Sequence, residues 1–331
     1  MADAQRLNPR EELVIGSRRS ELALIQTHHV RDRLQAEHES LCCLVHTMDT
    51  QGDRRLNVAL SKIGDKGLFT HDLEVGLLSG SIHLAVHSLK DMPTSLPESL
   101  ILDAITEREE PRDALVVHPC HKKNVHSLDD LPPGSVIGTS SLRRIAQLKH
   151  RYPHFRFLDV RGALGTRLAK LDAEERTYDA LILAAAGLIR MGWKERIQQL
   201  IPTEIMLPAV GQGALAVEIQ DPKTSKDSTV SDLIRCLTHQ PTWIACTAER
   251  AFLARLEGGC QVPIGAATHF EGDRLCIEGA VLSLDGSVCL REKILAELDE
   301  SPVALGQRLA EKLLALGAGE LLKREAPSTD E

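Results

Sequence analysis

The chain reads as an α/β protein built in two sets of strand and helix units and closed by a small α+β domain. Three observations carry that prediction. Short apolar runs such as ELVIGS (12–17), SIHLAVHSL (81–89) and YDALILAAAG (178–187) have strand length. Helical stretches separate them, which is the order of parallel crossover units and not of a sandwich. From Val262 onwards VPIGAATHF, RLCIEGAVLSL and SVCLREKIL follow one another as strands with no helix between.

In order, ELVIGS predicts the first strand, and an apolar-periodic helix runs from Ser20 to about Glu37. CCLVHTM (42–48) is the second strand, broken by QGDRR. FTHDLEVGLLSG (69–80) predicts a helix stopped at Gly80, and SIHLAVHSL the buried strand after it. Between these, the polar, glycine-bearing LSKIGDKG (60–67) predicts a mobile loop. A second set begins near Asp113 with the strand ALVVH (114–118). LPPGSVIGTSSLRRIAQLKHRYP (131–153), FRFLDVRGALGTRLAKLD (155–172) and YDALILAAAGLIRMG (178–192) then each supply a strand, a turn and a helix. LPAVGQGALAVEI (207–219) places a glycine turn before a strand, and QDPKTSKDST (220–229) is a polar surface stretch. TWIACTAERAFLARLEGG (242–259) is a helix ending at paired glycines. The three closing strands precede a helix over about Val303 to Leu316, and the end of the chain has the composition of a disordered tail.

Composition excludes several classes. A chain of 331 residues, 43 % hydrophobic, buries a core without help from metal or disulfide. The net charge, 39 minus 47 or −8, and aromatics at 3 % argue against nucleic acid and anionic membranes as partners. No run approaches the roughly 18 apolar residues of a membrane span. The eight cysteines show no CxxC and no regular spacing, and the start shows no signal-peptide pattern, so reduced thiols in the cytoplasm are expected. Fourteen histidines offer no HExxH or similar ligand spacing, and no metal is expected.

Chemistry concentrates where strands end and helices begin, since free backbone N–H groups there favour an anion. Thr139, Ser140 and Ser141 stand at one such start, with Arg143 and Arg144 in the first helical turn. Cations there oppose the helix dipole, so a compensating anion is expected, most simply a bound one. Arg161 and Arg167 flank a second start, Arg190 follows a third, and Arg18 and Arg19 follow the first strand. Any one of these arginines is more simply explained by a surface carboxylate; the repetition suggests a ligand with many negative groups. HSLKDMP (87–93) ends a strand in His87, Ser88, Lys90 and Asp91, with Lys90 offering a charge to an anion and Asp91 a proton-transfer group. An exposed turn capped by Asp91 is the plain alternative, and a hydrolytic relay does not suit this spacing. GQGALA (211–216) leads into a strand, not a helix, so Gly211 and Gly213 read as a close turn at a domain crossing and not as a dinucleotide fingerprint. Cys260, in LEGGCQVPIG, sits on a glycine-bounded loop. A lone cysteine is more often core filler, and spacing does not choose between a nucleophile and a covalent anchor.

GSRRSELALIQT, SKIGDKGLFTHDLE, LAVHSLKDMP, GTSSLRRIAQL, RGALGTRL, AAAGLIRMGW, VGQGALAVE and AERAFLARLEGGCQVPIGA together resemble the hydroxymethylbilane synthases, also called porphobilinogen deaminases. The resemblance keeps the family's order from residue 12 to about 285. It implies two doubly wound, periplasmic-binding-protein-like domains facing a cleft and a small C-terminal α+β domain. The expected bounds are 1–106 with 209–235, then 107–208, then 236–331. It implies a dipyrromethane cofactor joined by a thioether to Cys260 and Asp91 as the catalytic residue. Arg18, Arg19, Ser20, Lys90, Thr139, Ser140, Ser141, Arg143, Arg144, Arg161, Arg167 and Arg190 would hold cofactor and substrate carboxylates. Gln26, Phe69, Ser88, Gly162, Gln212 and Gly213 would support the site or its loops. The implied reaction joins four porphobilinogens head to tail with loss of ammonia and hydrolytic release of hydroxymethylbilane, by a cytoplasmic monomer. Ala163 and Gly165 depart from the polar residues usual in the family, which predicts a freer loop near Arg161 and Arg167. Two rivals remain at this stage: a two-lobed binding module without chemistry, and a thiol-dependent enzyme needing a histidine near Cys260.

Overall fold

The computed structural model describes residues 12–49, 70–256 and 263–324. They fall into two compact units, one ending at Glu109 and resumed over Ala214–Trp243, the other formed by Glu110–Gly213 and the chain from Ile244 onwards. The strands are β1 (Leu13–Arg18), β2 (Cys43–Met48), β3 (Leu84–Ser88), β4 (Leu100–Ile105), β5 (Asp113–Val117), β6 (Val136–Gly138), β7 (Arg156–Leu158), β8 (Ala180–Ala184), β9 (Gln199–Leu200), β10 (Leu215–Gln220), β11 (Ile264–Glu271), β12 (Arg274–Leu282) and β13 (Cys289–Leu295).

The first unit holds a five-stranded sheet in the order β2-β1-β3-β10-β4, and the second holds one in the order β7-β6-β8-β5-β9. Within each, the first three strands run parallel, with helices Glu21–Glu37 and His71–Ser79 in the first unit and Leu142–Arg151 and Leu164–Leu171 in the second as crossovers. The fourth strand differs from the expected parallel units. β10 is antiparallel to β3 and β4, and β5 is antiparallel to β8 and β9. Each is the first strand after the chain passes from one unit to the other, so no crossover helix precedes it to turn it parallel.

Apolar runs form these strands because both faces are covered. Along β5, Leu115 and Val117 enter one core with Ile137, Ile182 and Phe155, while Ala114 and Val116 enter another with Leu181, Leu183 and Leu168. In the first unit Leu13, Ile15, Leu84, Val86, Leu215 and Val217 form one buried cluster with Val30 and Leu34 of the first helix. The sheet β11-β12-β13 is antiparallel throughout, as expected, and packs Ile277 and Val281 against Phe252, Leu305 and Leu309. Gly211 and Gly213 both take left-handed backbone (φ 71° and 93°), which makes them the close turn before β10 that the sequence predicts. No helix among the described residues is long and apolar enough to cross a membrane.

Candidate functional site

In the first unit the site residues gather at the ends of β1 and β3. β3 runs into a single turn of 3-10 helix, Leu89–Asp91. Leu89 is buried and its N–H donates to Ala214 O at 3.0 Å, so the turn is pinned from inside while Asp91 stays exposed and Lys90 half-buried. Ser88 faces the buried Gln26, whose Nε2 donates to Ser88 Oγ at 3.1 Å and whose Oε1 accepts from it at 3.3 Å. These two therefore brace the strand that presents Asp91 against the first helix. Arg18 closes β1. Ser20 is the N-cap of that helix, extended and without a side-chain cap bond, and Arg19 makes an exposed pair with Asp49 at 3.2 Å. His87 turns inward, its Nε2 donating to Glu218 Oε2 at 3.0 Å, so it takes no part in a relay with Ser88.

In the second unit the residues lie at the ends of β6, β7 and β8. Ser141 caps helix Leu142–Arg151, its Oγ accepting from the Arg144 N–H. Thr139 Oγ1 accepts from the Ser141 N–H at 3.2 Å, and Ser140 Oγ both donates to Val160 O and accepts from its N–H. Gly162 has φ 111°, and its carbonyl accepts from Arg167 Nε at 2.8 Å. Arg161 lies 3.8 Å from Asp159, and Arg190 donates to Gly213 O at 2.7 Å. Ala163 is the N-cap of helix Leu164–Leu171 and brings no capping group, a loss worth about 1 kcal/mol against serine or asparagine.

Arg143 and Arg144 have a compensating anion within the protein. Both are buried on the fully buried Asp113, whose Oδ2 accepts from Arg143 at 2.7 Å and whose Oδ1 accepts from Arg144 at 2.8 Å and 3.0 Å. Arg143 also donates to Leu207 O and Arg144 to Ile182 O, both at 2.7 Å. Gln212 donates to Pro111 O at 2.7 Å and to Asp113 Oδ1 at 3.0 Å. The compensating anion is thus first of all an internal carboxylate. Burial pushes the Asp113 pKa up, but the two guanidiniums and the bonds from Arg143 and Gln212 outweigh it and hold the group below the carboxylate range. The balance is incomplete, because burial and the positive charges of Arg143 and Arg167 push Arg144 down against the pull of Asp113. Arginine stays protonated in proteins, so this crowding of cations favours a further negative group nearby.

Asp113 was not singled out in the sequence, and neither were the buried Glu218 on β10 and Glu74 on helix His71–Ser79. The available signal was a lone carboxylate inside an otherwise apolar strand, as in DALVV and LAVEI. Cys260, Phe69 and the stretch 60–67 lie outside the described residues.

Comparison with known proteins gives a consistent result. Residues 13–228 match the family described as porphobilinogen deaminase, dipyromethane cofactor binding domain, and residues 243–315 match porphobilinogen deaminase, C-terminal domain. The porphobilinogen deaminase of Synechococcus elongatus is 56 % identical over 315 residues, covering 95 % of this chain and 96 % of the relative. That of Nostoc sp. is 53 % identical over 313 residues, covering 95 % and 94 %.

Proposed function

The chain belongs to the porphobilinogen deaminase family, and on that premise we propose that it condenses four porphobilinogens head to tail on a covalent dipyrromethane primer and releases hydroxymethylbilane by hydrolysis. The observation that supports this most is the surplus of buried positive charge at Asp113, where the guanidiniums of Arg143 and Arg144 share one carboxylate. The pyrrole rings of primer and substrate carry carboxylates, which fit such a surplus; an uncharged ligand would leave it uncompensated. When bound, the dipyrromethane supplies a nucleophilic ring carbon and stays on the enzyme at release.

In this reading Asp91 serves the porphobilinogen. Its carboxylate assists the aminomethyl nitrogen as the C–N bond breaks and the electron pair leaves with ammonia. It then stabilises the positive charge left on the methylene carbon, and takes the ring-carbon proton once the new C–C bond has formed. Its exposure at the tip of a pinned turn suits a group that must meet successive substrates. Lys90, Arg18, Arg19 and Ser20 of the first unit and Thr139, Ser140, Ser141, Arg161, Arg167 and Arg190 of the second hold carboxylates. Arg143 and Arg144 contribute the net charge that Asp113 leaves over. Gln26, Ser88, Gly162, Gln212 and Gly213 position these groups, and Phe69 has a supporting role by the family resemblance. The segment from residue 236 acts as the third domain and presents Cys260, the thioether anchor. The enzyme works as a cytoplasmic monomer.

Intact mass of the protein purified from a host that makes porphobilinogen tests the reading: an addition of two pyrrole units, lost in Cys260→Ser, is expected, and a bare chain mass overturns it. Asp91→Asn should keep that added mass and lose at least about 100-fold in turnover, the scale of a general acid–base group.

A further inference from the structure

Among the described residues, His269, Glu271 and Cys276 form a cluster of metal-ligating side chains that the proposed reaction does not use. Strand geometry brings them together. His269 and Glu271 are two apart on β11 and share a face, while Cys276 on β12 is the antiparallel partner of His269. His269 Nε2 stands 3.0 Å from Glu271 Oε1, and one donor atom from each residue lies within 4.8 Å of the others. Cys276 is buried and the other two are exposed, so the thiol forms the floor of a shallow site open to solvent on one side.

We infer that His269, Glu271 and Cys276 form a three-residue site for a zinc-class divalent cation, with water in the fourth position. Nitrogen, oxygen and sulfur donors together suit a tetrahedral, borderline-soft ion, whereas magnesium and calcium take oxygen shells. A competing cation is already present: Lys293 Nζ lies 3.4 Å from Glu271 Oε1. That pair is half exposed, a setting in which ion pairs contribute little, so three-point coordination displaces it. A thiol binds a metal as its thiolate, so the ion enters by exchange, Cys–SH + M²⁺ → Cys–S–M⁺ + H⁺, and affinity rises with pH. Sequence spacing does not mark such a site, because its third ligand arrives through hairpin register.

Titration of the full-length, cofactor-bearing protein with Co²⁺ tests it. A thiolate-to-cobalt charge-transfer band in the near ultraviolet is expected, with visible bands of four-coordinate intensity, and Zn²⁺ should abolish both. Cys276→Ser should remove the charge-transfer band. His269→Asn, a change at an exposed side chain, should weaken binding beyond the roughly 10- to 100-fold that loss of an outer partner costs. Lys293→Gln should tighten it. Absence of the band, its survival in Cys276→Ser, or unchanged affinity in either of the other variants overturns the assignment.

Discussion

The two five-stranded sheets place a buried carboxylate on the same strand and solve its charge differently. In both, the antiparallel fourth strand carries it: Glu218 on β10 in the first unit, Asp113 on β5 in the second, each fully buried. Asp113 faces two guanidiniums and an amide, groups that stay charged or polar at every pH the protein meets. Glu218 faces His87 through Oε2, while its Oε1 has no hydrogen-bond partner among the described residues. A second buried carboxylate, Glu74, stands close enough to feel its charge. The register of β10 shifts between Val217 and Glu218, a local irregularity that accompanies the buried side chain. One sheet therefore holds its carboxylate between two arginines, and the other holds its carboxylate on a histidine beside a second buried acid. A shared topology does not dictate shared electrostatics.

Removing the carboxylate held between two arginines should have the largest effect. Asp113→Ala leaves Arg143 and Arg144 buried without their carboxylate, and breaking such a pair costs about 3–5 kcal/mol, read as a lower urea midpoint. Stability close to wild type would remove the contrast between the sheets. Glu218→Gln should be much milder, within about 1 kcal/mol at neutral pH, because the amide still accepts from His87 and no longer repels Glu74. A loss as large as that of Asp113→Ala would show the two carboxylates to be equivalent.

The smallest effect is one of pH. Burial raises the Glu74 pKa; a bond from Thr70 opposes this and the Glu218 charge adds to it. The folded chain then holds this proton to higher pH than the unfolded chain, so stability falls as pH climbs from the ordinary glutamate range through the raised value. Glu74→Gln should accordingly raise the melting temperature slightly at about pH 7 and leave it unchanged at about pH 3, where both states are protonated. Asp113 has the opposite sign. Its depressed value stabilises the fold above the ordinary aspartate range, and that contribution is lost only as pH falls below it. An Asp113→Asn variant should therefore show a weaker loss of stability in strong acid than wild type.

Much of this was legible in the chain. Apolar period and glycine stops marked β1, β2, β3, β8 and the long helices to within a few residues, since local pattern and caps decide where such elements start and end. β4 and β9 were not read: the six residues of β4 are not set off by a helix before them, and the two residues of β9 are too few to carry a pattern. Of the site, the Ser141 cap and the turn carrying Asp91 follow from their own neighbours. The setting of Arg143 and Arg144 does not, because Asp113 lies 30 residues from Arg143 along the chain.

Local sequence settled the strand and helix order, the glycine turn at 211–213 and the residue types offered at each strand end, all of which depend on neighbours within a few positions. Only the folded chain decided that β5 and β10 run antiparallel, that two arginines share one buried aspartate, and that His269 meets Cys276. Each of those depends on strand pairing and burial, which bring together groups far apart in sequence and set their charges by surroundings that no stretch of sequence contains.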